Sequence, residues 1–181
     1  LDFSLMVSSN DGARAIAAVA GSIDLGTQEQ TLGREGFIAT MNKKAKEIGL
    51  LNTSFENENG LDIEETLGGA YGTARDMAKL FEYTLNNYPD LLEATRYKNF
   101  IFTSLSNLKH IAENTNTKIG EIPGLIASKT GFTDISGGNL VIAFNPELNQ
   151  PIIVVVLGST YEGRFEDVHS LVTATLEYIK Q

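Results

Sequence analysis

"ASKTGFTDISGGNLVIAF", residues 127–144, is the stretch on which the fold turns. Apolar residues lie on both sides of Gly137-Gly138, the pattern of two strands joined by a tight turn. A third apolar run, "PIIVVVLG", follows after "NPELNQ". Strands are expected at 125–132, 138–144 and 151–158, paired as an antiparallel meander. The third is apolar on both faces, which predicts a central strand rather than an edge.

Working outward, "FEDVHSLVTATLEYIKQ" (165–181) reads as a closing amphipathic helix. "KNFIFTSL" (98–105) reads as a strand, followed by a polar loop around "ENTNTKIGEIPG". Before Pro89 the pattern is helical. "NDGARAIAAVAGS" predicts a short helix over 10–22, capped by Asn10 or Asp11 and stopped at Gly21. Residues 34–50 place Phe37, Ile38, Met41, Ala45 and Ile48 at helical spacing, and Gly49 ends the run. Residues 52–72 are loop. A capping-box pattern, Thr73 with Asp76, opens a helix over 73–87 whose apolar stripe is Met77, Leu80, Phe81 and Leu85. The plan is α+β and mostly antiparallel: residues 1–97 mostly helical, 98–181 sheet plus closing helix.

Composition narrows the function. A chain of 181 residues holds one core and hardly two. A net charge of −9 argues against nucleic acid as partner. Cysteine is absent, which excludes disulfides and thiolate metal sites. The two histidines, His110 and His169, lack metal-ligand spacing, so no metal and no cofactor is expected. The apolar run Ile152 to Leu157 is far short of the ~20 residues of a membrane helix. The opening "LDFSLMVSSND" has neither a basic flank nor a cleavage site, and it begins within an apolar pattern, as if cut into.

Two constellations carry chemistry. Lys129 stands on a half-buried strand, where an ammonium is costly unless its head reaches water or a partner. A snorkelling lysine is the plain alternative. Thr130 adds a hydroxyl and Gly131 allows close backbone approach, so this strand edge could hold an extended peptide and its carboxylate. The second constellation is Ser8-Ser9-Asn10 entering a helix, which could equally be an N-cap cluster.

S-x-N followed far downstream by K-T-G is two-thirds of the motif set of penicillin-recognising serine enzymes, whose third element is S-x-x-K. "LMVSSNDGARAIA", "MNKKAKEIGLLNTSF", "NGLD", "YGTARDMAKL", "SKTGFTDISGGNLV" and "GRFEDV" follow one another as in low-molecular-weight penicillin-binding proteins. The chain resembles the D-alanyl-D-alanine carboxypeptidase family over its whole length. The resemblance implies a penicillin-binding-protein/β-lactamase-like transpeptidase fold, of which residues 1–181 form a partial catalytic domain with two N-terminal strands missing. It implies that Ser8 and Asn10 contact a catalytic lysine and the substrate amide, that Lys129 supplies positive charge, and that Thr130 binds the substrate's terminal carboxylate. Gly131 would line the same strand edge. The backbone N–H of Phe132 would serve the oxyanion hole, and Arg164 would help hold the carboxylate; an exposed arginine before the last helix is the alternative there. Asn59 stands where the family often has histidine.

The implied partners are a peptidoglycan stem peptide ending in D-Ala-D-Ala, and β-lactams. The implied location is extracytoplasmic, the full-length protein being exported. The family's S-x-x-K lies upstream of S-x-N, yet only seven residues precede Ser8. Ser106-Asn107-Leu108-Lys109 spells S-x-x-K, but it follows a β-rich stretch and stands out of order, whereas a working pair shares one helix face. The expectation is a serine carboxypeptidase whose nucleophile lies outside this chain. The fragment alone would be inactive, and it would need the missing segment as another chain or a swapped copy. A serine β-lactamase and a non-catalytic stem-peptide-binding module are the alternatives.

Overall fold

The computed structural model describes residues 1–146 and 151–180. At its centre is the expected meander: β5 (Leu125–Thr133), β6 (Gly137–Phe144) and β7 (Ile152–Ser159), antiparallel in that order. Lys129 pairs with Val141 and Thr130 with Leu140, while Ile142 pairs with Val154 across the next ladder. Most of the "NPELNQ" connection lies outside the described residues.

The sheet is covered on both sides, and its period-two alternation sorts the side chains. Leu140, Ile142, Phe144 and Val154 face α5 (Gly163–Ile179), meeting Phe165, Val168 and Val172. Ala127, Ala143 and Ile153 face the other way, onto Phe81 and Leu85 of α4 (Ala74–Asn87) and onto Leu92. This is why 151–158 reads as apolar on both faces: a helix lies on each. Among the described residues β7 pairs only with β6.

α4 starts where the capping pattern predicts. The Thr73 hydroxyl accepts from the Asp76 N–H at 3.2 Å. Asp76 does not complete a capping box; its buried carboxylate instead accepts from the Asn52 N–H at 2.8 Å and the Thr53 hydroxyl at 2.9 Å, tethering the preceding loop. Within that loop, β1 (Ser54–Phe55) and β2 (Ala70–Tyr71) make a short antiparallel pair.

The N-terminal helices differ in detail from the expectation. α1 (Asp2–Val7) has no counterpart in the sequence reading. α2 (Asn10–Leu25) is capped by Ser9, whose hydroxyl accepts from the Gly12 N–H at 3.0 Å. It runs through Gly21 and stops at Gly26, which takes the left-handed conformation at φ 63°. Gly21 serves helix packing instead. A Cβ there would lie 1.8 Å from the Gly33 carbonyl oxygen, so the glycine lets α2 and α3 (Gln30–Glu47) touch backbone to backbone.

β3 (Asn99–Thr103) falls within the expected strand at 98–105 and pairs with β4 (Lys109–Glu113), a strand the sequence reading did not include, in a hairpin that joins no other strand among the described residues. Ser106 lies in its turn and Lys109 on its return strand, so this S-x-x-K shares no helical turn. His110 lies against the Phe3 ring, and His169 is exposed on α5.

Candidate active site

The chain passes from α1 to α2 through a sharp corner at Ser8. This residue adopts φ 54° and ψ 49°, a left-handed conformation that L-residues other than glycine avoid at a cost of about 1–2 kcal/mol. The corner is crowded: a Cβ at Gly12 would fall 2.2 Å from the Ser4 hydroxyl. Tight packing of α1 on α2 forces the turn, and the turn aims Ser8 at β5.

There it meets Lys129. The Lys129 ammonium donates to the Ser8 hydroxyl at 2.6 Å and to the Thr130 carbonyl at 2.7 Å. Both acceptors are neutral. Burial therefore pushes the Lys129 pKa down to about 8, and the positive charge of Arg164 pushes the same way. The lysine is thus still mostly charged at neutral pH but gives up its proton far more easily than an ordinary lysine, which suits it to moving a proton.

Thr130 is buried, and its hydroxyl lies 2.6 Å from that of Thr115. Thr115 was not singled out from the sequence, although the Asx turns that hold it have a local signature in Asn114-Thr115-Asn116. The Asn114 side chain donates to the carbonyls of Thr95 (2.8 Å) and Tyr97 (3.1 Å) and accepts from the Asn116 N–H at 2.9 Å. The Thr115 N–H donates to the Met6 carbonyl at 3.2 Å, which ties this loop to α1. One frame thereby fixes both Ser8 and Thr130.

Arg164 is 3 % exposed and lies behind β5, outside the cavity wall. One guanidinium nitrogen donates to the Gly131 carbonyl at 2.7 Å, and the group stacks on Tyr161 and Phe165 at 4.4 and 4.7 Å. Its contact with the site runs through the Gly131 backbone and through its charge. Phe132 is partly exposed, its ring edge-on to Tyr161.

These residues border a cavity of about 940 Å³ lined by Ser8, Asn10, the Lys129–Thr133 stretch and the loop from Glu58 to Asp62. Its volume suits a peptide-sized ligand. Glu58, the second residue missed from the sequence, has a side chain 1 % exposed that pairs with Arg34 at 2.9 Å and with Arg14 at 3.8 Å. Those partners come from α3 and α2, so nothing in the local sequence reveals them. Asp62 accepts from the Ile135 N–H at 3.1 Å, bridging the loop to the β5–β6 turn. Asn59 lines the same wall, its Oδ1 accepting from the Leu61 N–H at 3.0 Å.

The sequence pattern of the D-alanyl-D-alanine carboxypeptidase family matches residues 1–160. The chain is similar to the D-alanyl-D-alanine carboxypeptidase DacA of Haemophilus influenzae, 31 % identical over 167 residues that cover 91 % of this chain and 40 % of that protein. It is similar to DacC of Escherichia coli, 33 % identical over 173 residues covering 93 % of this chain and 38 % of that protein. Its fold is similar to penicillin-binding protein D2 of Listeria monocytogenes in the cefotaxime-bound form, with a TM-score of 0.76 and 28 % identity over 95 % of this chain and 63 % of that one. The chain spans about two fifths of the length of the two sequence relatives.

Proposed function

The chain belongs to the D-alanyl-D-alanine carboxypeptidase family, and from that premise we propose that it forms the substrate cradle of a serine-type enzyme that releases terminal D-Ala from peptidoglycan stem peptides. The observation that carries the reading is the 2.6 Å contact between Lys129 and Ser8, made across 121 residues at the border of a peptide-sized cavity. Lys129 is charged or neutral at little cost, so it can stabilise negative charge on the substrate and pass a proton through Ser8. Thr130, oriented by Thr115, receives the terminal carboxylate, with Asn10 at the other rim for the substrate amide. Gly131 leaves the strand edge bare toward the cavity, and the Phe132 N–H serves the oxyanion that forms during acyl transfer. Arg164 fixes the Gly131 carbonyl and adds positive potential from behind.

The nucleophile, in this reading, comes from a Ser-x-x-Lys helix outside these 181 residues, supplied in the intact protein or by another chain. Among the described residues the one such sequence, Ser106 to Lys109, lies on the hairpin. β-Lactams are expected to acylate the same serine, and the reaction is placed outside the cytoplasmic membrane. No helix among the described residues is long and apolar enough to cross a membrane.

A second reading rests on the same contact: Ser8, bonded to a lysine of lowered pKa, could itself be the acylated residue. Labelling the 181-residue chain with a fluorescent penicillin, followed by peptide mapping, separates the two. The expected outcome is no label on this chain and labelling once a Ser-x-x-Lys segment is restored. A label on the Ser8 peptide would establish the second reading, and a label on Ser106 would sink both.

A further inference from the structure

The loop between β1 and β2, residues 56–69, is a braced arm rather than a slack connection. At its root the Asn42 side chain of α3 grips Phe55, accepting from its N–H at 2.9 Å and donating to its carbonyl at 2.7 Å. Asn57 then ties the arm to itself. Its Oδ1 accepts from the Gly60 N–H at 2.6 Å, and its Nδ2 donates to the Leu61 carbonyl at 2.8 Å. Glu58, held by Arg34 and Arg14, fastens the same segment to α3 and α2. The arm is therefore rooted in the helical side of the molecule.

The far end of the sheet is built the opposite way. Gly137 and Gly158 both take left-handed backbone, at φ 64° and 72°. The β6–β7 register shifts between Gly138 and Leu140. Side chains staple the turn at 134–136 only to its own strands: the Thr133 hydroxyl accepts from the Ser136 N–H at 3.0 Å, and Asn139 donates to the Ser136 hydroxyl at 3.0 Å. Glycine-rich, bulged backbone has few conformational restraints of its own. Phe132 stands in this corner, paired with Gly138 and three residues before Ile135.

One hydrogen bond joins the two halves. Asp62, near the tip of the arm, accepts from the Ile135 N–H at 3.1 Å across 73 residues of sequence. Among the described residues no other hydrogen bond links residues 56–69 to the sheet. Asp62 and Ile135 both border the cavity, so their bond closes its wall. A carboxylate is the stronger kind of acceptor for such a tether.

We propose that Asp62 is a positioning residue: by tethering the β5–β6 turn to the braced loop, it fixes the end of β5, and with it the Phe132 N–H, across the cavity from Ser8 and Asn10. The inference rests on the carboxypeptidase reading, in which that N–H serves the oxyanion. Such a donor lowers the barrier only if it is already in place when the charge develops. A strand that ends in soft backbone needs an external anchor to meet that condition, and Asp62 supplies it through the Ile135 N–H without touching a reacting atom.

In the intact protein, with its Ser-x-x-Lys segment, Asp62→Ala should lower the rate of acylation by a fluorescent penicillin roughly ten- to hundredfold, the scale on which a misplaced reacting geometry is felt. The reversible binding that precedes acylation should change less than about twofold, because an oxyanion donor acts in the transition state. Asp62→Asn keeps an oxygen acceptor for the Ile135 N–H and should recover most of the rate. Glu65→Ala, which removes an exposed carboxylate three residues along the loop, should leave the rate unchanged. In the 181-residue chain, amide hydrogen exchange at Phe132 and Ile135 should quicken in Asp62→Ala and return toward the parent in Asp62→Asn. Unaltered exchange, or unaltered acylation of an active parent, in Asp62→Ala overturns the proposal. So does an Asp62→Asn variant as impaired as Asp62→Ala, since the charge rather than the tether would then be what matters. An intact parent that no penicillin acylates would instead refute the carboxypeptidase reading, and the exchange rates would still decide whether Asp62 holds the strand end.

Discussion

Ser8 and Lys129 hold each other in states that neither would choose alone. The serine keeps a left-handed backbone at φ 54°, and the lysine keeps a buried ammonium, 2.6 Å apart. The hydrogen bond offsets part of the cost on both sides, and substitution at each residue separates the two contributions.

For the lysine, the sign follows from its lowered pKa. Between about pH 8 and its ordinary value of 10.5, the unfolded chain binds a proton that the folded one does not. Stability from this group therefore rises with pH across that window and is lowest below pH 8. Lys129→Met should be more stable than the parent at pH 7, by up to about 3 kcal/mol, with the gap narrowing as pH approaches 10.5. Urea denaturation of both proteins at pH 7, 9 and 10.5 measures this. A gap that stays constant would mean that Lys129 titrates normally in the fold.

For the serine, glycine and alanine replacements both remove the hydroxyl, but only glycine relieves the left-handed backbone. Ser8→Gly should be the more stable of the two variants by about 1 kcal/mol, read from the same urea denaturation. Equal stability, or a more stable alanine, would show that the corner at residue 8 carries no strain.

Thr115 offers a third test. Thr115→Val leaves the buried Thr130 hydroxyl without its partner and should lower stability by about 1 kcal/mol. It should also weaken binding of a D-Ala-D-Ala peptide several-fold, with far less effect on the same peptide amidated at its C-terminus. Thr115→Ser should restore both. Titration calorimetry on the two peptides decides the matter: equal losses would make Thr115 a packing residue with no part in orienting Thr130.

The meander was legible because its signal is local. Two apolar runs flank a turn, although it falls at residues 134–136 and the Gly137-Gly138 pair expected to form it opens β6 instead. The alternation that buries Leu140, Ile142 and Phe144 is visible in the sequence. The Thr73 cap was legible for the same reason. What escaped depended on distant partners. Asp76 looked like half of a capping box, yet its carboxylate is claimed by Asn52 and Thr53. Gly21 looked like a helix stop, because a sequence cannot show that Gly33 lies against it. β4 was missed because "KHIAE" has one buried residue in five and gains its strand character from pairing with β3. In the site, Lys129, Thr130 and Gly131 were found through their chemistry on a strand. Glu58 was not, since an acidic residue in a polar loop is ordinary until two helices bring arginines to it.

Six residues make α1, too few to hold a helix on their own in water. It persists because Met6 is wholly buried and its carbonyl is bound by the Thr115 N–H. Ser8 ends that single turn of structure, so its position is only as durable as the docking beneath it. Heat or denaturant that lifts α1 from the loop at 114–116 would dismantle the Lys129 contact while β5, β6 and β7 remain paired. The site is then expected to come apart at a lower temperature than the scaffold that carries it.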